Sequence, residues 1–327
     1  MFNRNFDGCQ SKDLIILNRA RYQSMNFSGV LLCAIIAMLL SLHGDIWYII
    51  SGEPSVKGKT VIVTGASQGI GSALVKEYAL KGAGDIVMAS RSVDKMEAIR
   101  DGIYATGVDP ANTRIHVLKA DLSTKEASEQ CISDALKIFG NKGLDFLVLN
   151  HITNSRFGSW LVDNKALPGG HNFVNEMFAT NVYSYVYMAT AAIEALKKNS
   201  GQLVVISSLA GWVGPPKIAV YAATKHALNG FFDSLRIELN LLGIKNVGIT
   251  IANLGAHDTE GAQEVKNQIH TPLLNWEPPG DAARVVVRGA AARRRELFYP
   301  FSVVYPMVAL RPFFPALCDW LISLPYH

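Results

Sequence analysis

From Lys59 onward, short runs of apolar and often β-branched residues alternate with helical stretches of ten or more residues. Each short run is apolar at nearly every position, as expected of parallel strands that helices cover on both faces. The predicted strands span residues 60–64, 85–89, 114–118, 145–149, 202–207 and 248–252. The predicted helices lie near residues 70–82, 93–105, 124–139, 173–198 and 219–242. This alternation predicts an α/β fold, a doubly wound parallel sheet of the Rossmann type.

The chain before the first strand carries a second apolar pattern, which favours a membrane anchor. The run is apolar from Phe27 to Leu42, is interrupted by polar residues that include Asp45, and resumes up to Ile50. Its uninterrupted part would span about 24 Å as a helix, less than the roughly 30 Å of a bilayer core, whereas the full stretch is long enough. No small-residue cleavage pattern follows, so we favour an uncleaved anchor over a signal peptide, with a buried helix as the alternative.

These patterns divide the chain into four predicted segments. Residues 1–26 form an N-terminal tail, 27–50 a membrane anchor, 57–300 a single Rossmann-type domain and 301–327 a hydrophobic C-terminal tail. More basic residues precede the anchor than follow it closely. This asymmetry places the N-terminus in the cytosol and the main domain on the far side of the membrane.

Composition and charge exclude several classes of protein. With 49% hydrophobic and 18% charged residues among 327, the chain can bury a large core and is not disordered. The formal charge of +4 is mild, and the basic residues are spread out apart from residues 293–295, so nucleic acid is not expected as a partner. The 4 cysteines are widely spaced without a C-x-x-C pair, so neither a metal site nor a disulfide framework is indicated.

A glycine-rich turn directly follows the first predicted strand. In the sequence TGASQGIG, the glycines Gly65, Gly69 and Gly71 form the turn that opens the first helix. Glycines there let the backbone approach a pyrophosphate, and the helix N-terminus supplies amides and the positive end of a dipole. The spacing is G-x-x-x-G-x-G, and its position between first strand and first helix favours a dinucleotide site over an ordinary tight turn.

The end of the second strand bears on the choice between NAD and NADP. Many NAD-binding sites place an acid there to hold the ribose hydroxyls, but this chain has the sequence ASRS. Arg91 would neutralise a 2′-phosphate, which predicts NADP (NADPH) as the cofactor. A solvated arginine is the alternative.

Ser208, Tyr221 and Lys225 form a third candidate motif. Tyr221 and Lys225 are four residues apart, so on a helix both lie on one face, and a serine on the preceding strand would be able to face them. A Tyr-x-x-x-Lys pattern is by itself common and usually marks a solvated helix face. Its meaning therefore depends on the other motifs of the chain.

Taken together, the motifs resemble those of the short-chain dehydrogenases/reductases. TGASQGIG, LNH after the fourth strand, FATN at 178–181, Ser208 and YAATK occur in the order and spacing of that family, over about residues 58–300. Within the family, LVLNHIT, ISSLAG, GFFDSLRIEL and LGAHDTE resemble the 11β-hydroxysteroid dehydrogenase type 1 branch, which also has an N-terminal membrane anchor.

The resemblance implies catalytic roles for Ser208, Asn181, Tyr221 and Lys225. Tyr221 would exchange a proton with the substrate oxygen, Ser208 would hydrogen-bond that oxygen, and Asn181 would hold a water in the proton relay. Lys225 would bond the nicotinamide ribose. The reference pKa of tyrosine is about 10, and it has to fall by roughly 3 units for work near neutral pH. Lys225 and the cationic nicotinamide are expected to lower it.

The resemblance also implies the contacts to the cofactor. Asp121, after the third strand, would contact the adenine, and Asn150 would steady the central strand. Tyr221 and Lys225 are expected to touch the cofactor as well. The remaining predicted cofactor contacts are Gly65, Ser67, Gly69, Ile70, Gly71, Arg91, Ser92 and Leu122.

The chain departs from the family pattern in three places. His151 replaces an asparagine after the fourth strand and is expected to be packed rather than catalytic. Leu254 stands where many relatives have proline, and Pro215 stands where the steroid branch commonly has tyrosine. An apolar pocket wall is therefore predicted, formed by Trp212, Val213, Pro215, Leu254 and Ala256.

These observations predict a membrane-anchored NADP-dependent oxidoreductase that interconverts a ketone and an alcohol on a bulky apolar substrate. A steroid is the first candidate and a retinoid or other lipid carbonyl compound the second. A catalytically silent dinucleotide-binding partner protein is the rival from another class. With the charge asymmetry, the resemblance implies an endoplasmic reticulum membrane location with a lumenal catalytic domain, and a homodimer through the two long helices near 173–198 and 219–242.

The segment after Arg295 has two interpretations. It contains many prolines and aromatic residues. One interpretation is a last strand followed by a tail that covers the core. The other is a hydrophobic lid or membrane-dipping surface at the substrate entrance.

Overall fold

A parallel β-sheet forms the centre of the molecule. The computed structural model describes residues 54–153, 157–160, 171–269 and 275–326. The strands are β1 (Thr60–Thr64), β2 (Asp85–Ser90), β3 (Arg114–Lys119), β4 (Phe146–Leu149), β5 (Gln202–Ser208), β6 (Gly248–Leu254) and β7 (Glu296–Tyr299). All are parallel, in the order β3-β2-β1-β4-β5-β6-β7. The predicted doubly wound sheet is confirmed with its six strands, and β7 is the last strand allowed for after Arg295.

Helices cover both faces of the sheet. They are α1 (Gly69–Leu80), α2 (Val93–Ala105), α3 (Lys125–Phe139), α4 (His171–Phe178), α5 (Ser184–Asn199), α6 (Ala219–Leu241), α7 (Gln263–Gln268), α8 (Pro279–Ala291), α9 (Phe301–Leu310) and α10 (Pro315–Ser323). The predictions for α1, α2, α3 and α6 are confirmed closely. The single helix predicted near 173–198 is instead α4, a π-helix at Ala179–Tyr183, and α5.

Successive residues of each strand pack on opposite faces of the sheet, because side chains alternate along a β-strand. In β1, Val61 and Val63 belong to the core beneath α1 and α8, whereas Ile62 belongs to the core beneath α3, α5 and α6. All three side chains are fully buried. Burial on both faces explains why the strand sequences are apolar at nearly every position.

The strand order reverses direction between β1 and β4. From β1, the strands β2 and β3 lie to one side, and β4, β5, β6 and β7 lie to the other. At such a switch point the connecting helices diverge and leave a crevice outside the carboxyl ends of the strands. The sequence motifs with candidate chemistry follow the carboxyl ends of β1, β2, β4 and β5, so they meet at this edge.

The structure describes the C-terminal tail up to residue 326 but not the first 53 residues of the chain. The predicted tail and membrane anchor, residues 1–50, lie outside the described residues. Within the described ranges, no helix has both the length and the apolar character needed to cross a bilayer. In the C-terminal tail, Val304 is buried while Phe313 and Trp320 are exposed. The tail thus covers part of the core and also presents apolar side chains at the surface.

Candidate active site

The turn after β1 depends on glycine at each of its three glycine positions. Gly65 and Gly69 have φ values of +63° and +57°, a region that side chains other than hydrogen strongly disfavour. A Cβ added to Gly71 would lie 2.1 Å from the carbonyl oxygen of Gly65 and 2.6 Å from Nδ2 of Asn150. The first turn of α1 therefore packs directly against β1 and β4, with its backbone amides at the crevice.

A cleft of about 980 Å³ lies at this edge of the sheet. Its lining brings together most of the predicted cofactor contacts, namely Gly65, Ser67, Gly69, Ile70, Arg91, Ser92, Asp121, Leu122 and Asn150. Gly71, Tyr221 and Lys225 are absent from the lining. Gly71 faces the packed junction between α1 and the strands. Asp121, Arg91 and Ser92 are exposed, whereas Leu122 is buried at the wall.

The cleft also contains residues that were not among the predicted cofactor contacts. Ser90 Oγ donates a hydrogen bond to Ser67 Oγ at 2.9 Å, which ties the end of β2 to the glycine turn. Thr259 and Glu260, beyond the end of β6, line the cleft too. Lys95 Nζ lies 3.2 Å from Glu260 Oε2. Since the carboxyl ends of parallel strands share one edge, the position of these residues after β6 was a usable signal.

The residues that follow β4 are held by the end of β1. Asn150 Nδ2 donates to the carbonyl oxygen of Thr64 at 3.1 Å. His151 is buried, with Nδ1 2.8 Å from Thr64 Oγ1 and Nε2 2.6 Å from Ser184 Oγ. Burial, with a smaller contribution from the charge of Lys225, lowers the pKa of His151 to about 3, so its ring is neutral at physiological pH. The hydrogen bonds and burial are those of a packed residue.

Ser208, Tyr221 and Lys225 come together beside the end of β5. The Ser208 side chain lies beside the Tyr221 hydroxyl, and Ser208 Oγ accepts a hydrogen bond from the amide of Ala210 at 3.1 Å. Lys225 Nζ lies 5.6 Å from the centroid of the Tyr221 ring and donates to the carbonyl oxygen of Ile206 at 2.8 Å. Lys225 is only 2% exposed. The Tyr-x-x-x-Lys motif therefore faces the protein interior, so the solvated-face interpretation does not apply.

Burial controls the ionisation of this pair. It raises the pKa of Tyr221, and the neighbouring Ser208 side chain opposes that rise. It also lowers the pKa of Lys225 to about 7, because a buried ammonium loses its hydration. In the protein without its cofactor, desolvation of the phenolate is the largest influence on the pKa of Tyr221, and the fall predicted from Lys225 and the nicotinamide together stays a prediction. The cationic nicotinamide is the other charge that the prediction invoked.

Asn181 lies at the centre of the π-helix that separates α4 from α5. It is fully buried, and its Oδ1 accepts from the backbone amide of Thr153 at 2.9 Å. Its Nδ2 donates to Thr224 Oγ1 at 3.5 Å, next to Lys225 on α6. Short π-helical insertions occur frequently at functional sites, because the wider turn redirects side chains. Here the insertion brings Asn181 to the helix that carries Tyr221.

Fewer residues than predicted can form the apolar wall of the pocket. Val213 and Leu254 are buried, and Leu254 packs in the core beneath α1 and α8. Alternation along β6 turns Leu254 into that core, so the wall prediction is wrong for Leu254. Trp212, Pro215 and Ala256 remain partly exposed.

The end of the C-terminal tail lies beside the connection between β5 and α6. The Tyr326 ring stacks on Phe157 with a centroid separation of 6.2 Å, and Lys217 Nζ lies 5.2 Å from the centroid of the same Phe157 ring. The carbonyl oxygen of Lys217 accepts from the amide of Gly158 at 2.9 Å. The tail therefore packs near the segment that leads from Ser208 to Tyr221.

Known proteins share this sequence pattern over most of the chain. A family model described as short chain dehydrogenase matches residues 59–270. The hydroxysteroid 11-beta-dehydrogenase 1-like protein of Xenopus tropicalis is 36% identical over 279 residues, which cover 85% of this chain and 91% of that protein. The protein of the same name from Gallus gallus is 37% identical over 276 residues, which cover 84% and 89%.

A solved structure agrees with the fold. The short chain dehydrogenase from Burkholderia cenocepacia J2315, in complex with NADP, is 27% identical and superposes with a TM-score of 0.61. The superposition covers 74% of this chain and 96% of that one. The glycine turn, Asn181, Ser208, Tyr221 and Lys225 all fall within the residues that the family model matches.

Proposed function

Because this chain belongs to the short-chain dehydrogenase family and resembles its 11β-hydroxysteroid dehydrogenase type 1 branch, we propose that it is an NADP-dependent oxidoreductase for bulky apolar ketones and alcohols. The observation that carries the proposal is the placement of the Ser208 side chain and the Tyr221 hydroxyl beside the buried ammonium of Lys225. A proton donor, a second hydrogen-bonding hydroxyl and a nearby cation are the groups that carbonyl reduction needs.

The cleft residues fit a nicotinamide dinucleotide. The glycine turn lets the first turn of α1 pack directly against β1 and β4, which leaves its backbone amides at the crevice for a pyrophosphate. Arg91 is exposed in the lining, with Ser92 beside it, and a guanidinium matches a phosphate with paired hydrogen bonds. These residues support NADP(H) over NAD(H). When bound, the dinucleotide supplies the hydride for reduction or accepts it in oxidation.

Tyr221 is the proposed general acid of the reduction. As the carbonyl carbon gains a hydride, the Tyr221 hydroxyl gives its proton to the carbonyl oxygen, and the ketone becomes an alcohol. The raised pKa of Tyr221 keeps the phenol protonated near neutral pH, which is the form that reduction requires. Ser208 hydrogen-bonds the same oxygen. Lys225, when charged, stabilises the phenolate that remains after proton transfer.

The substrate class is inferred from the wall of the site and from the relatives. Trp212, Pro215 and Ala256 present mainly apolar surface, and such surface gains about 25 cal/mol for each Å² of apolar substrate buried. A wall of this kind discriminates weakly between similar hydrophobic molecules. The relatives are named hydroxysteroid dehydrogenase-like proteins. We therefore place a steroid first and a retinoid or other lipid carbonyl compound second.

We expect the purified full-length chain to consume NADPH with several bulky ketones, steroid ketones among them, at kcat/KM values within about tenfold of each other. Small ketones should react much more slowly, because they bury little apolar area. Absorbance of NADPH and chromatography of the alcohol products measure this. No turnover across steroid, retinoid and acyl ketones would contradict the proposed function, and confinement to one steroid would contradict the apolar-wall argument.

We further propose that residues 27–50 anchor the chain in the endoplasmic reticulum membrane with a lumenal catalytic domain, and that α5 and α6 form a homodimer face. The apolar run of the sequence supports the anchor. Ile237 and Leu241, exposed by 57% and 82%, support a covered face on α6. After carbonate extraction the full-length chain should stay in the membrane pellet, and a short cross-linker should trap pairs. Release into the supernatant, or monomers alone, would contradict the corresponding proposal.

A further inference from the structure

A buried side-chain amide ties the loop that carries Ser208 to α6. Ser207 Oγ donates to Asn229 Oδ1 at 2.6 Å, and Asn229 Nδ2 donates to the carbonyl oxygen of Gly211 at 3.1 Å. Asn229 is buried and lies one helical turn beyond Lys225. A single side chain of α6 therefore holds the loop on both sides of Ser208.

The network continues into the sheet through Asn253, at the end of β6. Asn253 Oδ1 accepts from the indole Nε1 of Trp212 at 2.9 Å and from Asn229 Nδ2 at 3.4 Å. Asn253 is fully buried, as a polar residue on a strand whose other buried positions are mostly apolar. Burying an amide costs free energy unless its hydrogen bonds are made, so these two asparagines depend on each other and on the loop.

Close packing fixes the same loop from the side of α6. A Cβ added to Gly211 would lie 2.6 Å from Asn229 Nδ2, 3.0 Å from the carbonyl oxygen of Lys225 and 3.1 Å from Ser207 Oγ. The loop is thus already as near to α6 as its backbone allows. The hydrogen bonds hold it there, and the contacts prevent a closer approach.

We propose that Asn229 and Asn253 are positioning residues, which hold residues 207–212 against α6 and so set the place of Ser208 relative to Tyr221. The two hydroxyls belong to different elements, since Ser208 ends β5 and Tyr221 lies in the first turn of α6. The action of both hydroxyls on one substrate oxygen needs a fixed separation between loop and helix. The proposal rests on the function proposed above, in which both hydroxyls act on that oxygen.

Other titratable groups near Tyr221 do not belong to this network. They are Lys225 on the same helix, Tyr185 on α5, and His151 after β4, whose own neighbour is Lys225. Among the described residues, none of the three is a side-chain hydrogen-bond partner of Asn229 or Asn253. A change in the ionisation of Tyr221 on removal of an asparagine amide therefore reports on Ser208.

The ionisation of Tyr221 tests the proposal without any substrate. The full-length chain is produced with isotope-labelled tyrosine ring carbons for NMR. The Tyr221 resonance is assigned by its loss in Tyr221→Phe, and its chemical shift is followed against pH. We expect Asn229→Ala to raise the pKa of Tyr221 by roughly half to one unit, the effect of losing one hydrogen bond. Ser208→Ala should raise it similarly, and Asn229→Ala should add nothing in the Ser208→Ala background.

Asn240→Ala, the same substitution at an exposed position of α6, is the matched control and should leave the pKa of Tyr221 unchanged. If Asn229→Ala does not fold, Asn253→Ala and Trp212→Phe carry the same test, since each removes one bond of the network and should shift the pKa upward. An unshifted pKa in these variants, or a shift from Asn229→Ala that persists without Ser208, would overturn the proposal.

Kinetics separate this proposal from the proposed function. With a bulky ketone, Asn229→Ala should lower kcat about tenfold while the KM for NADPH stays near the wild-type value, because the network lies outside the cleft lining. If the wild-type chain reduces no ketone, the proposed function fails while the resonance measurement still decides the positioning role. Unchanged kcat together with a shifted pKa would show that the network moves Ser208 without any catalytic consequence and would overturn the catalytic part.

Discussion

Tyr221→Phe should lower kcat for ketone reduction by roughly 100- to 10,000-fold, the usual contribution of a positioned general acid. That range corresponds to about 2.7 to 5.5 kcal/mol in the activation free energy. The substitution removes the hydroxyl beside Ser208 and keeps the ring that packs near Lys225. NADPH affinity should remain close to wild type, since the glycine turn and Arg91 are untouched. Single-turnover reduction and fluorescence titration with NADPH measure the two quantities.

The matched control is Tyr183→Phe, which deletes the same hydroxyl from a half-exposed ring packed against Phe178. It should leave kcat and the melting temperature near wild type. Turnover of Tyr221→Phe within tenfold of the wild-type rate would show that another group delivers the proton. Loss of NADPH binding in that variant would instead indicate a structural defect, which the melting temperature would reveal.

Arg91→Asp should reverse the preference between NADPH and NADH. A charge-assisted hydrogen bond contributes about 1.5 to 3 kcal/mol, so losing the guanidinium should reduce kcat/KM for NADPH by roughly 10- to 150-fold. The carboxylate should repel the 2′-phosphate further and accept hydrogen bonds from the ribose hydroxyls of NADH. The ratio of kcat/KM for the two cofactors, measured with one ketone, gives the result.

Arg295→Asp provides the same charge reversal at a distant place. Arg295 is exposed and immediately precedes β7, so it lies at the amino edge of the sheet, away from the cleft. The Arg295→Asp variant should keep the wild-type ratio of kcat/KM for NADPH and NADH. An unchanged ratio in Arg91→Asp would show that Arg91 is an ordinary surface residue. A ratio that also changed in Arg295→Asp would point to overall charge as the cause.

The environment of Tyr221 changes how its chemistry should be understood. From sequence, the lysine four residues away is a natural source of stabilisation for a phenolate. In the fold, Lys225 is buried and Tyr221 is partly buried, so the loss of hydration raises the pKa of Tyr221 and lowers that of Lys225 to about 7. Reduction benefits directly from a phenol that stays protonated near neutral pH. Oxidation of an alcohol, which needs the phenolate, should instead accelerate as the pH rises.

Local pattern was sufficient for most of the fold. The strands are continuous apolar runs. Such runs predict buried strands well, because in a sheet covered on both faces nearly every side chain is buried and has to be apolar. The helix α8 was missed although Ala282, Val286 and Ala290 recur at helical spacing and a proline stands at its first position. The π-helix was not visible, because its residues have the same periodicity as an ordinary helix within its length.

The sequence by itself determined the glycine turn, the position of Arg91 after β2, and the order of Ser208, Tyr221 and Lys225. These features are local, since each depends on residues next to one another on one element or at the end of one strand. The tertiary structure alone decided which of them share a cleft, that Leu254 faces the core, and that Asn229 and Asn253 hold the loop of Ser208. The contact between Lys95 and Glu260, for example, joins residues 165 positions apart. Such a pairing arises only when the helices pack on the sheet, so no periodicity in the chain specifies it.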